Sequence, residues 1–149
     1  MKVSIRSVGH ADEEQVIIEC VEVTPEVEAI RAFAETKGKG LYGVTDGQQT
    51  TRIALEDVYY FEAVDEKVFA CTRENVYEIR QRLYEVEQAY GEYFFVRCSK
   101  SVVLNLMRLD GISPALNGRF TAHMKNGEKL MISRKYASAL VRKVMGEGK

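Results

Sequence analysis

The chain of 149 residues is long enough for one domain, or for one domain with a small appendage. It is 46% hydrophobic and 29% charged, which excludes a disordered tail, and its apolar runs are too short for a membrane span of about 20 residues. Its three cysteines fall in separate segments without metal-binding spacing, so a disulfide scaffold and a zinc site are both disfavoured. We therefore expect a cytoplasmic protein without a metal or another cofactor.

The net charge of -1 conceals an asymmetry along the chain. Residues 97–149 contain 11 Lys and Arg against three acidic residues, a balance of +8, whereas residues 1–96 contain 10 basic and 19 acidic residues, a balance of -9. This division favours a basic face that meets a polyanion. Opposite charges that interleave on the folded surface would explain it equally well.

The beginning of the chain predicts two strands and a helix. Residues 2–8 and 15–23 are rich in β-branched residues and predict the strands. Thr24 can cap a helix that begins at Pro25. Together these elements form a predicted ββα unit.

A Gly-rich stretch at 38–43 is the best candidate for a boundary. Its GxGxxG spacing follows a predicted helix and enters a predicted strand, the reverse of a dinucleotide-binding fingerprint, so a nucleotide site is disfavoured. We therefore divide the chain into an extension, residues 1–40, and a main domain, residues 41–149.

The main domain is predicted to consist mainly of short strands. Asn126-Gly127, between strands at 119–125 and 128–132, is the clearest hairpin turn, and Asp46-Gly47 is a second one. Further strands are predicted at 41–45, 49–55, 58–63, 67–71, 93–97 and 102–104. Helices are predicted from about Thr72 to Tyr90 and from about Lys135, with Tyr136, Leu140 and Val144 inward, to Met145. The fold class is therefore α+β and strand-rich.

Catalytic motifs are absent from the sequence. The two histidines, His10 and His123, fall in a polar turn and on the outer face of a hairpin, without a nucleophile in motif context. Carboxylate pairs such as Asp65-Glu66 lie in predicted turns, where solvation explains them. We therefore do not expect an enzyme.

Two short segments combine cations with small hydroxyl side chains. A buried strand is predicted to end in Arg97-Cys98-Ser99-Lys100-Ser101, and the last helix follows Ser133-Arg134-Lys135. Such residues can hydrogen-bond phosphates and reach base edges, and a helix N-terminus favours anions. For either segment alone, a simple helix cap with solvated cations is also a credible explanation. The cations could activate the Cys98 thiol, although a packed apolar role is favoured.

These features resemble the LytTR DNA-binding domain of bacterial transcription regulators over residues of about 41–145. The resemblance rests on Asp57-Val58-Tyr59-Tyr60-Phe61-Glu62, the helix that begins at Thr72, the segment from Phe95 to Asn105, and the hairpin that leads into Ile132-Ser133-Arg134-Lys135-Tyr136. It implies antiparallel β-sheets that dock loops, and not a recognition helix, into the major groove of double-stranded DNA.

The resemblance also implies a set of contacts. Lys100 and Arg134 fall where the family reads bases, although other members carry Arg or Asn at the position of Lys100. Lys67 is a candidate for a third contact, and Asn105 is expected to brace a loop. The predicted DNA-binding residues are Lys67, Arg97, Ser99, Lys100, Ser101, Ser133, Arg134 and Lys135.

Partners follow from the resemblance as well. Only about 40 residues precede the domain, too few for a receiver domain, so the chain is similar to the stand-alone regulators, which a small membrane protein often restrains. Paired half-sites on DNA favour a homodimer, whose contact could use edge strands at 2–8 or 15–23. Alternatively, these strands complete the core of their own chain. The alternative function is a protein-interaction module of the same fold that has lost DNA binding.

Overall fold

A computed structural model describes residues 1–36, 38–45, 47, 49–91 and 94–145. The α-helices within this part of the chain are α1 (Pro25–Thr36), α2 (Leu83–Tyr90) and α3 (Arg134–Val144). The strands are β1 (Gly40–Thr45), β2 (Gln49–Ala54), β3 (Tyr60–Val64), β4 (Lys67–Cys71), β5 (Val76–Ile79), β6 (Phe95–Ser99), β7 (Val102–Asn105), β8 (Leu109–Pro114), β9 (Phe120–Met124) and β10 (Lys129–Ile132).

The strands form two antiparallel sheets. The large sheet has the order β2-β1-β5-β4-β3-β7-β6, and the small sheet has the order β10-β9-β8. Short connections join most sequential neighbours, as hairpins do. The predicted α+β, strand-rich fold is confirmed.

Both faces of the large sheet are covered. On one face, Phe61, Phe95 and Val103 pack with Leu83 and Val86 of α2. On the other face, a second set of buried residues lies between the large sheet, the small sheet and α3, and it includes Tyr59, Cys98, Leu104, Ile132 and Leu140. The adjacent residues Val103 and Leu104 point to opposite faces, as the two-residue period of a strand requires.

Most of the strands predicted for the main domain are present. The Asn126-Gly127 hairpin joins β9 and β10, with His123 opposite Lys129, and Gly127 takes the left-handed conformation at φ 90° that the turn requires. The second predicted hairpin joins β1 and β2, but Asp46 of its turn lies outside the described residues. Tyr93, predicted to begin a strand, also lies outside them.

The ββα prediction is wrong for its two strands. Within the fully described segment 1–24, the only regular element is a single 3-10 turn, Ala11–Glu13. The predicted helix is α1, and the Thr24 hydroxyl accepts a hydrogen bond from the Val27 amide (3.2 Å), as an N-cap does. A strand needs a neighbour for its backbone groups, and the chain folds none beside these segments. Cys20, expected to fill a strand, is exposed.

The long helix predicted from Thr72 is also wrong in its first half. Thr72 caps a turn instead: its hydroxyl accepts a hydrogen bond from the Asn75 amide (3.1 Å), and β5 then pairs with β4. Only Leu83–Tyr90 is helical. Apolar residues recur every three to four positions in both halves of the predicted helix, so the sequence favoured a helix throughout. In the first half, pairing with β4 stabilises a strand instead.

Two smaller differences affect the C-terminal part. Strand β8 was not predicted, since a Gly and a Pro interrupt its apolar pattern. In α3, Ala137 and Leu140 are the buried residues, whereas Val144, predicted to point inward, is exposed. No described helix is long and apolar enough to cross a membrane.

Candidate nucleic-acid interface

Four connections meet at one end of the two sheets, which we call the loop end. They are the β3–β4 turn (65–66), the β6–β7 loop (100–101), the β8–β9 loop (115–119) and the start of α3 at Ser133. In the register of β3 with β7, Glu62 lies opposite Val102, so the β3–β4 turn and the β6–β7 loop lie at the same end of the large sheet. The Ala63 amide donates to the Ser101 carbonyl (2.8 Å) and joins them directly.

One backbone hydrogen bond joins the two basic segments predicted from the sequence. The Ser133 amide donates to the Cys98 carbonyl (2.8 Å), so the start of α3 lies directly beside the β6–β7 loop. As a result, Ser99, Lys100 and Ser101 share one surface with the Ser133–Lys135 segment. These segments are more than 30 positions apart in the chain, and the fold brings them together.

The shape of the β6–β7 loop is fixed by a bulge and by Arg97. The register shifts between Arg97 and Ser99, so Cys98 is the extra residue of a β-bulge. The Arg97 guanidinium donates to the carbonyls of Ser99 (2.9 Å) and Lys100 (2.5 Å). It also pairs with the Glu87 carboxylate of α2 at 2.9 Å, and its side chain is only 18% exposed. Each of the three guanidinium nitrogens of Arg97 therefore donates to another group of the protein.

Lys100 and Arg134 differ from Arg97 in having free charged ends. Both are exposed, and neither side chain forms a hydrogen bond or an ion pair with any residue that the structure describes. The aliphatic part of Arg134 lies along Gly118, where a Cβ would stand 3.0 Å from the Arg134 Cδ atom. Gly118 thus makes room for this side chain, and its φ of 74° also favours glycine.

The start of α3 is open to an anion. Ser133 occupies the N-cap position but makes no side-chain cap hydrogen bond, and the first turn of the helix contains no acidic residue. The first amides of a helix have no partner within the helix and carry a partial positive charge. Lys135 adds a full charge, with its ammonium group 5.4 Å from the centre of the Tyr136 ring.

Lys67 also lies at the loop end, but apart from the other cations. It begins β4, three strand positions from β6, a separation of about 14 Å at the usual spacing of strands. Its ammonium group is 3.9 Å from the Glu78 carboxylate, and both side chains are largely exposed. The neighbouring turn residues Asp65 and Glu66 are acidic. Lys67 therefore has a weaker local positive field than Lys100 or Arg134.

The sequence profile of the LytTr DNA-binding domain matches residues 48–145 of the chain. The chain belongs to the LytTR family. One relative is the sensory transduction protein LytT of Bacillus cereus, 31% identical over 88 residues, which are 59% of this chain and 36% of that protein. Another is an uncharacterized HTH-type transcriptional regulator of Staphylococcus aureus, 28% identical over 88 residues, 59% of each chain. The match thus spans between about a third and three-fifths of these curated relatives.

A solved structure supports the same assignment. The LytTr DNA-binding domain from Bacillus cereus matches with a TM-score of 0.66 and 28% identity, covering 72% of this chain and 96% of that one. Residues 48–145 of this LytTR chain are therefore a LytTr DNA-binding domain.

The structure adds residues to this LytTR surface that sequence analysis missed. Asn117 and Arg119 lie in the β8–β9 loop beside Arg134, and both are exposed. Asn117 takes the left-handed conformation at φ 61° before Gly118. The dipeptide Asn117-Gly118 is a turn signal that could have located this loop.

Cys98 is a packed residue. Its side chain is fully buried at the bulge of β6. Burial raises the pKa of the Cys98 thiol to about 12, and the opposing effect of the nearby Arg97 charge is smaller. The apolar role that the sequence favoured therefore agrees with its environment, since a thiol with so high a pKa is a weak nucleophile at neutral pH.

Proposed function

We propose that this LytTR chain binds double-stranded DNA with sequence preference, as part of a transcription regulator, and that its loop end docks into the major groove. One observation carries the proposal: the hydrogen bond from Ser133 to Cys98 joins two basic segments whose Lys100 and Arg134 side chains are exposed and unpaired within the described structure. A surface with two free cations on bent loops can enter a groove about 12 Å wide.

The residues of the loop end take different roles in this proposal. Arg134 can form two parallel hydrogen bonds with the O6 and N7 atoms of a guanine, and Lys100 suits the same acceptors. The hydroxyls of Ser99, Ser101 and Ser133 and the Lys135 ammonium hold phosphates, together with the amides at the start of α3. Lys67 supplies a more distant phosphate contact.

Arg97 has a positioning role in the proposal. Its guanidinium already bonds two loop carbonyls and Glu87, so it shapes the β6–β7 loop that carries Lys100. This differs from the direct DNA contact expected from the sequence.

The regulator is proposed to act as a homodimer on paired half-sites. Two-fold symmetry in the protein matches two related half-sites in the DNA, and doubling the contacts strengthens binding. A membrane protein that restrains the regulator stays a prediction of the family resemblance.

A mobility-shift experiment tests the DNA interface. The full chain is mixed with duplex DNA from its own upstream region and with a scrambled duplex at two salt concentrations. The wild type should shift the specific duplex more strongly, and less at higher salt, because bound cations release counterions from the phosphates. The Lys100→Ala/Arg134→Ala variant should lose this preference.

The matched control is Arg73→Ala/Lys125→Ala, which removes the same charge at turns on the opposite end of the sheets. It should bind like the wild type. Of the single variants, Arg134→Ala should lose about 1–3 kcal/mol of binding free energy on the specific duplex. Lys135→Ala should weaken the binding of all duplexes alike and reduce the slope of log K against log salt concentration by about one. Normal operator binding by Arg134→Ala would refute the residue assignment. No shift on any genomic fragment at low salt would favour the protein-interaction module.

A further inference from the structure

The segments 2–8 and 15–23 expose apolar side chains to an extent unusual for a folded chain. Val3 is 86% exposed and Ile5 96%, while Ile17 is 68% and Val21 fully exposed. An exposed apolar patch of this kind is typical of an interaction surface. These segments precede α1 in the chain, and α1 itself exposes Ile30 and Phe33, at 37% and 50%.

The backbone of both segments is unpaired as well. Among the described residues, the backbone hydrogen bonds before α1 are those of the Ala11–Glu13 turn and its neighbours, and none involves residues 2–8 or 15–23. Both segments have the composition of strands, yet neither has a ladder partner. Their amide and carbonyl groups are free to pair with another strand.

The two segments carry opposite charges. Residues 2–8 contain Lys2 and Arg6 and no acidic residue, a charge of +2, whereas residues 15–23 contain Glu19 and Glu22 and no basic residue, a charge of -2. Opposite charges across a strand pair stabilise it, and like charges destabilise it. Each segment therefore disfavours pairing with its own copy and favours pairing with the other.

We propose that two copies of this chain exchange these segments, so that residues 2–8 of each copy pair with residues 15–23 of the other. One chain alone offers two strands, and an isolated two-stranded hairpin is at best marginally stable in water. Two copies offer four strands and two adjacent α1 helices whose exposed Ile30 and Phe33 can cover one face. The exchange is reciprocal, which is what a closed two-fold dimer requires. It does not depend on DNA binding.

Charge reversal tests the exchange. Sedimentation equilibrium of the full chain, in reducing agent so that Cys20 cannot cross-link copies, gives the dimer dissociation constant. The Lys2→Glu/Arg6→Glu variant makes both segments acidic, and the Glu19→Lys/Glu22→Lys variant makes both basic. Each variant alone should dimerise at least about tenfold more weakly than the wild type. Their equimolar mixture should recover wild-type affinity, since both strand pairs are again oppositely charged.

The matched control is Asp12→Lys/Glu13→Lys, which makes a similar charge change in the connecting turn. It should dimerise like the wild type. A monomeric wild type, or a wild type whose segments are protected from hydrogen exchange in the monomer, would overturn the proposal in favour of a hairpin within one chain. A dimer that survives deletion of residues 1–23, or variants that each behave like the control, would locate the contact elsewhere. The proposal would also be overturned if the equimolar mixture of the two charge-reversed variants did not recover the wild-type dimer affinity. DNA binding to a single half-site, measured in parallel, reports separately on the loop end.

Discussion

Asn105 shows how one buried polar side chain fixes a loop. It is 2% exposed at the end of β7. Its side-chain amide donates to the Val58 carbonyl (2.8 Å), and its side-chain oxygen accepts from the Met107 amide (2.9 Å). The expectation that Asn105 braces a loop is therefore confirmed, and its burial keeps the side chain away from DNA.

We expect Asn105→Ala to destabilise the fold without a direct effect on DNA recognition. The substitution leaves the buried Val58 carbonyl and the part-buried Met107 amide without their partner, which should lower the free energy of unfolding by about 1–3 kcal/mol. Urea unfolding gives this value, and Asn75→Ala, in an exposed turn, is the control. Weaker DNA binding with unchanged stability would instead show that Asn105 touches DNA.

At the scale of elements, the β6–β7 loop and α2 act as one unit. Arg97 connects them, because its guanidinium bonds two carbonyls of the loop and the Glu87 carboxylate of the helix. The bulge at Cys98 then turns the chain so that Lys100 is exposed. The orientation of Lys100, the proposed base contact, thus depends on the ion pair between Arg97 and Glu87, which lies within the protein.

A double-mutant cycle separates positioning from contact. Arg97→Ala should weaken specific DNA binding in the wild type, by about tenfold or more, because the loop loses its fixed shape. In a Lys100→Ala background the same change should have little further effect, since the group it positions is already absent. Affinities come from titrations at one salt concentration, with Arg73→Ala as the control. Equal losses in both backgrounds would mean that Arg97 binds DNA itself.

Elements were predictable from the sequence wherever a local signal was sufficient. The Asn126-Gly127 turn fixed the β9–β10 hairpin, and Thr24 with Pro25 fixed the start of α1. The segment that became β5 fitted a helical pattern as well, and pairing with β4 decided between them. Residues 2–8 and 15–23 have strand composition but no neighbour within the chain, so composition alone predicted two strands that the fold does not form.

The candidate site was predictable in its residue types but not in its geometry. Lys100 and Arg134 were recognisable as candidates because each lies among small hydroxyl side chains, and the family resemblance assigned both to base contacts. The hydrogen bond from Ser133 to Cys98 joins segments far apart in the chain, and no local pattern encodes such a contact. The orientation of the Arg97 side chain likewise depends on a distant residue, Glu87 of α2, with which it forms an ion pair. The sequence alone is consistent with both a free and a paired cation at this position.

At the scale of the whole molecule, the core sets how stability depends on pH. Both faces of the large sheet are packed, and two thiols lie in the second core, Cys71 and Cys98. Burial raises the pKa of Cys71 to about 11 and that of Cys98 to about 12. In the unfolded chain both thiols titrate near their usual pKa of about 8.5. Above that pH the unfolded state releases protons that the native state retains.

The free energy of unfolding should therefore fall as the pH rises from 8 to 9.5. Below pH 8 both states hold these protons, so the thiols contribute no pH dependence; above it the unfolded state gains about 1 kcal/mol for each thiol by pH 9.5. Urea unfolding at the two pH values measures the change. The Cys71→Ala/Cys98→Ala variant, less stable at pH 8 through lost packing, should lose this part of the decrease, whereas Cys20→Ala, at an exposed position, should keep it. The range stops at pH 9.5 because Tyr60, whose pKa burial also raises, would add its own effect at higher pH. An equal decrease in the wild type and the double variant would contradict this prediction, because these thiols would then ionise as readily in the folded core as in the unfolded chain.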